Sequence, residues 1–167
     1  GLSIAGPNSR KIISEYDQFI PNSIYPGLIS YPNKTTHAVS VVETNKQEYV
    51  WKNNNFVKPD NRDLVIYELL IRDFSFRSDY QTVIDSLPHL KSLGINAIEL
   101  MPIIEFDGLL SWGYAPTYFF AAEKFYGPEE SLKALIDSCH SNGIAVIMDI
   151  VFMIMKIGVL IGKFGLQ

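Results

Sequence analysis

The sequence predicts an α/β fold built on a parallel sheet, and three observations carry that prediction. Beyond residue 60, continuous apolar runs of strand length at 64–69, 95–100 and 145–151 alternate with two stretches of helical period, the pattern of strands covered on both faces. Helix-boundary residues punctuate the gaps: Asp79 before and Gly94 after the first helix, Pro128 before and Gly143 after the second. Of the 167 residues, 47% are apolar, enough to bury a sizeable core. The order β-α-β-α-β then implies right-handed crossovers.

Charge narrows the function classes. The 14 Lys and Arg face 18 Asp and Glu, for a net charge of −4 without a block of like charge. A nucleic-acid surface needs clustered cations to displace counterions from phosphates, so that partner is excluded. A single cysteine, Cys139, excludes an internal disulfide framework and a zinc site built on paired cysteines. Gly1 opens the chain without an initiator Met or a basic segment leading into an apolar one, so no signal peptide is expected in it.

Taken in order, residues 1–35 are rich in Pro, Asn and Ser, which prevents long regular elements. Two β-prone runs, 37–42 and 49–51, predict a hairpin or neighbouring strands. Polar breaks at 53–55 and 58–61 place a boundary there, so that residues 1–58 form a β-rich N-terminal unit with its connector. The first parallel strand is 64–69. Asp79 caps a helix whose stripe is Tyr80, Val83, Ile84, Leu87, Leu90 and Leu93; Pro88 within it removes a hydrogen bond to Ile84 and predicts a kink. The second strand is 95–100. After a long aromatic segment, 103–127, Pro128-Glu129-Glu130 opens a helix with Leu132, Leu135, Ile136 and Cys139 on its buried stripe. The third strand is 145–151, and an apolar tail, 153–167, follows. The apolar stretch 144–161 is interrupted by Asp149 and Lys156, and a charge inside a span of about 20 residues is costly, so membrane insertion is disfavoured.

The strand spacing singles out one loop. First and second strands start 31 residues apart, second and third 50 apart. The surplus follows the second strand, on the carboxyl side of the sheet, where α/β folds place their ligand sites. Trp112, Tyr114, Tyr118, Phe119, Phe120, Phe125 and Tyr126 in it either pack the loop down or offer rings to a pyranose face, and Glu105 and Asp107 could accept sugar hydroxyls. His37, His89 and His140 share no metal-ligand spacing, and Cys139 reads as a small core residue. Asn33-Lys34-Thr35 fits a glycosylation acceptor, which physically says only that the loop is exposed.

Five blocks carry a resemblance: Val65-Ile66-Tyr67-Glu68-Leu69-Leu70-Ile71-Arg72-Asp73-Phe74; residues 87–102, ending Ile98-Glu99-Leu100-Met101-Pro102; Trp112-Gly113-Tyr114-Ala115-Pro116; Tyr126-Gly127-Pro128; and residues 143–151, ending Met148-Asp149-Ile150-Val151. Their order and spacing resemble the alpha-amylase superfamily of glycoside hydrolases, family thirteen, above all its pullulanase, isoamylase and branching-enzyme branch. The resemblance implies that residues 59–152 are strands one to three of a (β/α)8 TIM barrel. More loosely, residues 1–58 resemble the end of the immunoglobulin-like domain that precedes it. It also implies retaining hydrolysis of α-1,4 or α-1,6 glucan, which takes a carboxylate nucleophile and a carboxylic acid roughly 5 to 5.5 Å apart. In the family these stand, with a third Asp, on strands four, five and seven. None of the acids here matches them, so no catalytic residue is assigned and the 167 residues alone are expected to be inactive.

Two positions carry over. Tyr114 matches the tyrosine that stacks on the sugar at the cleavage subsite, with Trp112 beside it as a second substrate-binding candidate. Asp149 matches the first Asp of the family's Asp-x-Val-x-Asn-His block, which braces the active site. That block then breaks: Met153 stands where Asn often helps hold calcium, and Ile154 where His donates to glucose. A thioether suits neither a hard cation nor a sugar hydroxyl, so no metal or other cofactor is expected. Ala115 likewise replaces the family's Asn. Residues 153–167 match no family element, which is what a shifted reading frame gives; Ile-Met encoded ATC ATG contains CAT, a His codon, in another frame. Expected partners are α-glucan or maltooligosaccharide, with self-association through an open sheet edge. The alternative is a non-catalytic glucan-binding or assembly module. Relatives that degrade polymeric glucan tend to be secreted, which favours a secreted or periplasmic location over a cytoplasmic one and leaves location and bond specificity open.

Overall fold

The computed structural model describes residues 5, 6, 8–33, 35–106 and 108–151. Its strands in chain order are β1 (Ile12–Ile13), β2 (Val39–Ser40), β3 (Ile66–Leu69), β4 (Ala97–Leu100), β5 (Ile104–Phe106), β6 (Pro116–Ala122) and β7 (Ala145–Met148), and its α-helices are α1 (Ile71–Phe74), α2 (Tyr80–Ser92) and α3 (Glu129–Ser141). Asp107, Phe152 and the tail 153–167, with Met153 and Ile154, lie outside the described residues.

Among the described residues, β3, β4 and β7 form a parallel sheet in that order. Alternation along the strands sorts their side chains. Tyr67, Ile98 and Val146 share one register row, and Leu69, Leu100 and Met148 the next but one. This face meets α2 and α3, where Val83, Leu87, Leu90, Leu135, Cys139 and Ile144 close the core. Burying each such aliphatic side chain contributes about 1.5–3 kcal/mol. Ile66, Ala97 and Ala145, then Glu68, Glu99 and Ile147, line the opposite face.

Local chemistry fixes the helix ends. The Asp79 carboxylate accepts from the Thr82 amide at 2.8 Å, and Gly94 turns the chain out of α2 at φ +80°. The helix runs through Pro88 to Ser92, forfeiting only the bond that Ile84 would have received. Leu93, expected on the buried stripe, is the C-cap and half exposed. Pro128 caps α3 one position before its first turn. The Cys139 thiol is buried, which pushes it up to about 12.

Three expectations are corrected. Residues 37–42 and 49–51 do not pair with each other: Val39 and Ser40 pair antiparallel with Ile13 and Ile12. Residues 49–53 instead form a strap across α3, because Asp137 takes up their donors, accepting from the Tyr49 hydroxyl at 2.9 Å and from the Lys52 and Asn53 amides at 3.0 and 3.3 Å. Phe56 continues the strap, stacked on His140 with ring centroids 4.1 Å apart. The parallel strands are not all covered on both faces; β4 is buried, whereas Ile66 of β3 and Met148 of β7 are 46% and 41% exposed, as befits the outer strands of this sheet. Finally β7 ends at Met148, so that Asp149, Ile150 and Val151 lie past the strand. Among the described residues, no helix is long and apolar enough to cross a membrane.

Candidate functional site

Two of the sequence-predicted site residues meet at the carboxyl end of the sheet. The Tyr114 hydroxyl donates to Asp149 Oδ2 at 2.7 Å across 35 residues of sequence. Asp149 is placed by the sheet: its amide donates to the Leu100 carbonyl at 3.0 Å, one step beyond the last register pair of β4 and β7. Its parity with Ala145 and Ile147 puts it on the face carrying Glu68 and Glu99, which are register partners. The hydrogen bond to Asp149, partial burial, and the negative charges of Asp149, Glu68 and Glu99 push the Tyr114 phenol up to about 12. Tyr114 therefore stays a neutral donor over an acidic floor at any physiological pH.

Tyr114 reaches this position through the residue before it. Gly113 has φ +88°, and a Cβ there would overlap the carbonyl oxygen of Pro102 at the end of β4. Only glycine lets the loop lie this close to the strand end. The Gly113 amide donates to Ser111 Oγ at 2.9 Å, and the Ser111 carbonyl accepts from Arg72 Nη1 at 3.0 Å. Trp112, the third predicted residue, faces outward at 63% exposure, next to Leu109 and Leu110, also exposed. The structure thus joins Tyr114 to Asp149 and leaves Trp112 on the rim.

The other candidates in this segment divide. Glu105 is not available to a sugar: it is 3% exposed and paired with Lys124, which also reaches Asp17 at 3.4 Å. Tyr126 belongs to the core and packs edge-on to Tyr80 at 6.1 Å. Tyr118 packs near Ala5, Ile12 and Ala121, so it serves the junction with the N-terminal segment. Phe120 on β6 is 64% exposed. Glu123, 1% exposed, is pushed up to about 8 by burial and by the Glu105 charge, against the pull of Lys124 and of the Phe125 and Phe106 amides. Among the described residues no cluster of His, Cys, Asp and Glu could hold a metal ion.

Sequence reasoning missed Glu68, Glu99 and Arg72 as neighbours of the site. Each glutamate interrupts an apolar strand, and a charge in such a run at the carboxyl end of the sheet was the available signal. The Arg72 contact spans 39 residues and had no local signature.

A parallel sheet backed by helices, with a tyrosine braced on a carboxylate at its carboxyl end, defines an α/β protein whose candidate site lies at the strand ends. Residues 31–155 match the alpha amylase catalytic domain, and the chain belongs to that family. It is 41% identical over 105 residues to malto-oligosyltrehalose trehalohydrolase of Saccharolobus solfataricus, covering 63% of this chain and 19% of that protein. It is 35% identical over 143 residues to chloroplastic isoamylase 1 of Arabidopsis thaliana, covering 66% of this chain and 18% of that one. Among solved structures, one from Salmonella typhimurium ascribed to the alpha amylases superposes with a TM-score of 0.70 at 26% identity, over 96% of this chain and 25% of the other. The pullulanase of group B Streptococcus, solved with maltotetraose, shares the fold at a TM-score of 0.63 and 21% identity, over 88% and 22%. The chain spans about a fifth of the length of the curated relatives it matches.

Proposed function

We propose that this chain supplies the opening strands of a retaining α-glucan hydrolase, and that Tyr114 and Asp149 form part of its sugar-binding floor. In this reading β3, β4 and β7 are strands one to three of a (β/α)8 barrel spanning residues 59–152. Residues 1–58 are then the end of an immunoglobulin-like domain with its connector, although the family match begins at residue 31, and 153–167 are an apolar tail that the match enters only as far as residue 155. The observation that carries the reading is the 2.7 Å bond from Tyr114 to Asp149 at the carboxyl end of the sheet. The bond fixes the phenol edge, so the ring face stands as a platform for the apolar face of a glucose ring, and Trp112 extends that platform at the rim. Asp149 positions the tyrosine and accepts hydrogen bonds from sugar hydroxyls. It takes no part in bond cleavage, which in the retaining mechanism needs a nucleophile and an acid that these residues do not match. No calcium is invoked.

Isothermal titration with maltotetraose tests the platform. Millimolar binding that Tyr114→Ala reduces at least tenfold is the expected result, and a flat titration of the wild-type chain removes the reading. The alternative, a non-catalytic glucan-binding or assembly module, draws support from the outward-facing Trp112 and its apolar neighbours. Hydrolysis separates the two: release of reducing sugar by a longer chain that continues into the missing strands supports the enzyme, and binding without release by that chain supports the module.

A further inference from the structure

We propose that Arg72 is the positioning residue of this site: from the carboxyl end of β3 it clamps the loop that holds Tyr114 over the sheet, and it never touches the sugar. The inference rests on the glucan reading only for what the clamp serves; the clamp itself is geometric.

Arg72 lies in the single turn α1, directly after β3. Its guanidinium is oriented by Asp73, which accepts from Nε at 2.7 Å and from Nη2 at 2.8 Å. A neighbouring ion pair on a surface contributes little to stability. Its geometric effect is larger, because the rigid fork leaves Nη1 fixed in direction, and that nitrogen donates to the Ser111 carbonyl at 3.0 Å. Ser111 passes the constraint on, since its Oγ accepts the Gly113 amide at 2.9 Å and Tyr114 follows. The turn holding Arg72 is itself braced. Ser78, with φ +54° the non-glycine residue of positive φ among those described, donates Oγ to the Arg72 carbonyl at 2.6 Å. A serine held in the left-handed region is a strained residue kept in place by its surroundings, here where the turn leads into α2. Arg72 is also partly covered, with a side-chain exposure of 23%, whereas its partner Asp73 is at 60%.

The test reads Tyr114 directly, without sugar. In protein labelled at tyrosine Cζ, the Tyr114 resonance is assigned among the nine tyrosines by its loss in Tyr114→Phe. In Arg72→Met it is expected to move to the position of a solvated tyrosine while the others stay in place, apart from Tyr126, whose phenol feels the Arg72 charge directly. Arg72→Lys, which keeps the charge on a single donor nitrogen, is expected to restore part of the shift. Maltotetraose affinity is expected to fall about tenfold in Arg72→Met, the worth of a hydrogen bond to a charged group. An unmoved Tyr114 resonance in Arg72→Met, a Lys variant no better than Met, or displacement of all tyrosines together, the mark of a general structural role, would each overturn the clamp. If the wild-type chain binds no maltotetraose yet Arg72→Met still moves Tyr114 without displacing the tyrosines remote from Arg72, the clamp stands and the sugar reading falls.

Discussion

Gly113 is where backbone and site meet. Two independent constraints act on it: a φ of +88°, which L side chains rarely adopt, and a Pro102 carbonyl oxygen occupying the place of a Cβ. The backbone conformation alone costs a non-glycine residue on the order of 1–3 kcal/mol, and the carbonyl would in addition have to move. Gly113→Ala is therefore expected to lower the urea midpoint and to abolish maltotetraose binding together, as the loop lifts and Tyr114 leaves Asp149. An alanine variant with unchanged midpoint and affinity would show that the loop does not need this approach. The glycine itself is plain in the motif Trp112-Gly113-Tyr114, and so is the tyrosine, because a resemblance transfers residue by residue. Its reason is not, since the obstructing carbonyl belongs to a residue on another element. Arg72 was missed on the same ground.

At the scale of elements, the strap over α3 shows why a β-prone run need not be a strand. Tyr49 and Trp51 have strand propensity, but a buried carboxylate on the facing helix offers the backbone a better partner than a short neighbour would. Burial alone would raise Asp137, yet the Lys52 amide, the Tyr49 hydroxyl and the Asn53 amide outweigh it and hold the carboxyl below its ordinary range. Because the folded value is depressed, the stabilisation it gives is present above the unfolded carboxylate value and is lost as the pH falls through the folded one. Asp137→Ala strands three donors. It is expected to cost about 1–3 kcal/mol at neutral pH and less in acid, read as the difference in urea midpoint from wild type. A constant difference across pH would deny the carboxylate this role. The two long helices were legible because period and caps extend over 13 residues, and the parallel strands because continuous apolar runs mark them. The pair formed by β1 and β2 was not, as two residues have no period.

At the scale of the molecule, a buried charge cluster that no local pattern announces helps join the N-terminal segment to β5 and β6. Asp17 comes from the N-terminal segment, Glu105 from β5, and Glu123 and Lys124 follow β6; all four are buried, with the Tyr80 and Tyr126 rings nearby. Three carboxyls share one ammonium, and Lys124 turns to Glu105 and Asp17, leaving Glu123 with the amides of Phe125 at 3.0 Å and Phe106 at 3.4 Å. Ionising it would put a further unneutralised charge in the interior, so the fold holds it as the acid, raised from 4.5 to about 8. The sign follows. Between those values the native chain keeps a proton that the unfolded chain has lost, so stability is greatest below the lower value, falls as pH rises through the interval, and levels off above it. The slope is bounded by one proton, about 1.4 kcal/mol per pH unit. The Glu123 carboxyl ties the end of β6 to the Phe106 amide of β5, and the Tyr114 loop runs between those strands. Glu123→Gln, neutral at every pH, is expected to remove this slope and to exceed wild type in urea midpoint at pH 8 while matching it near pH 5. Parallel pH profiles for the two proteins would place the proton elsewhere in the cluster.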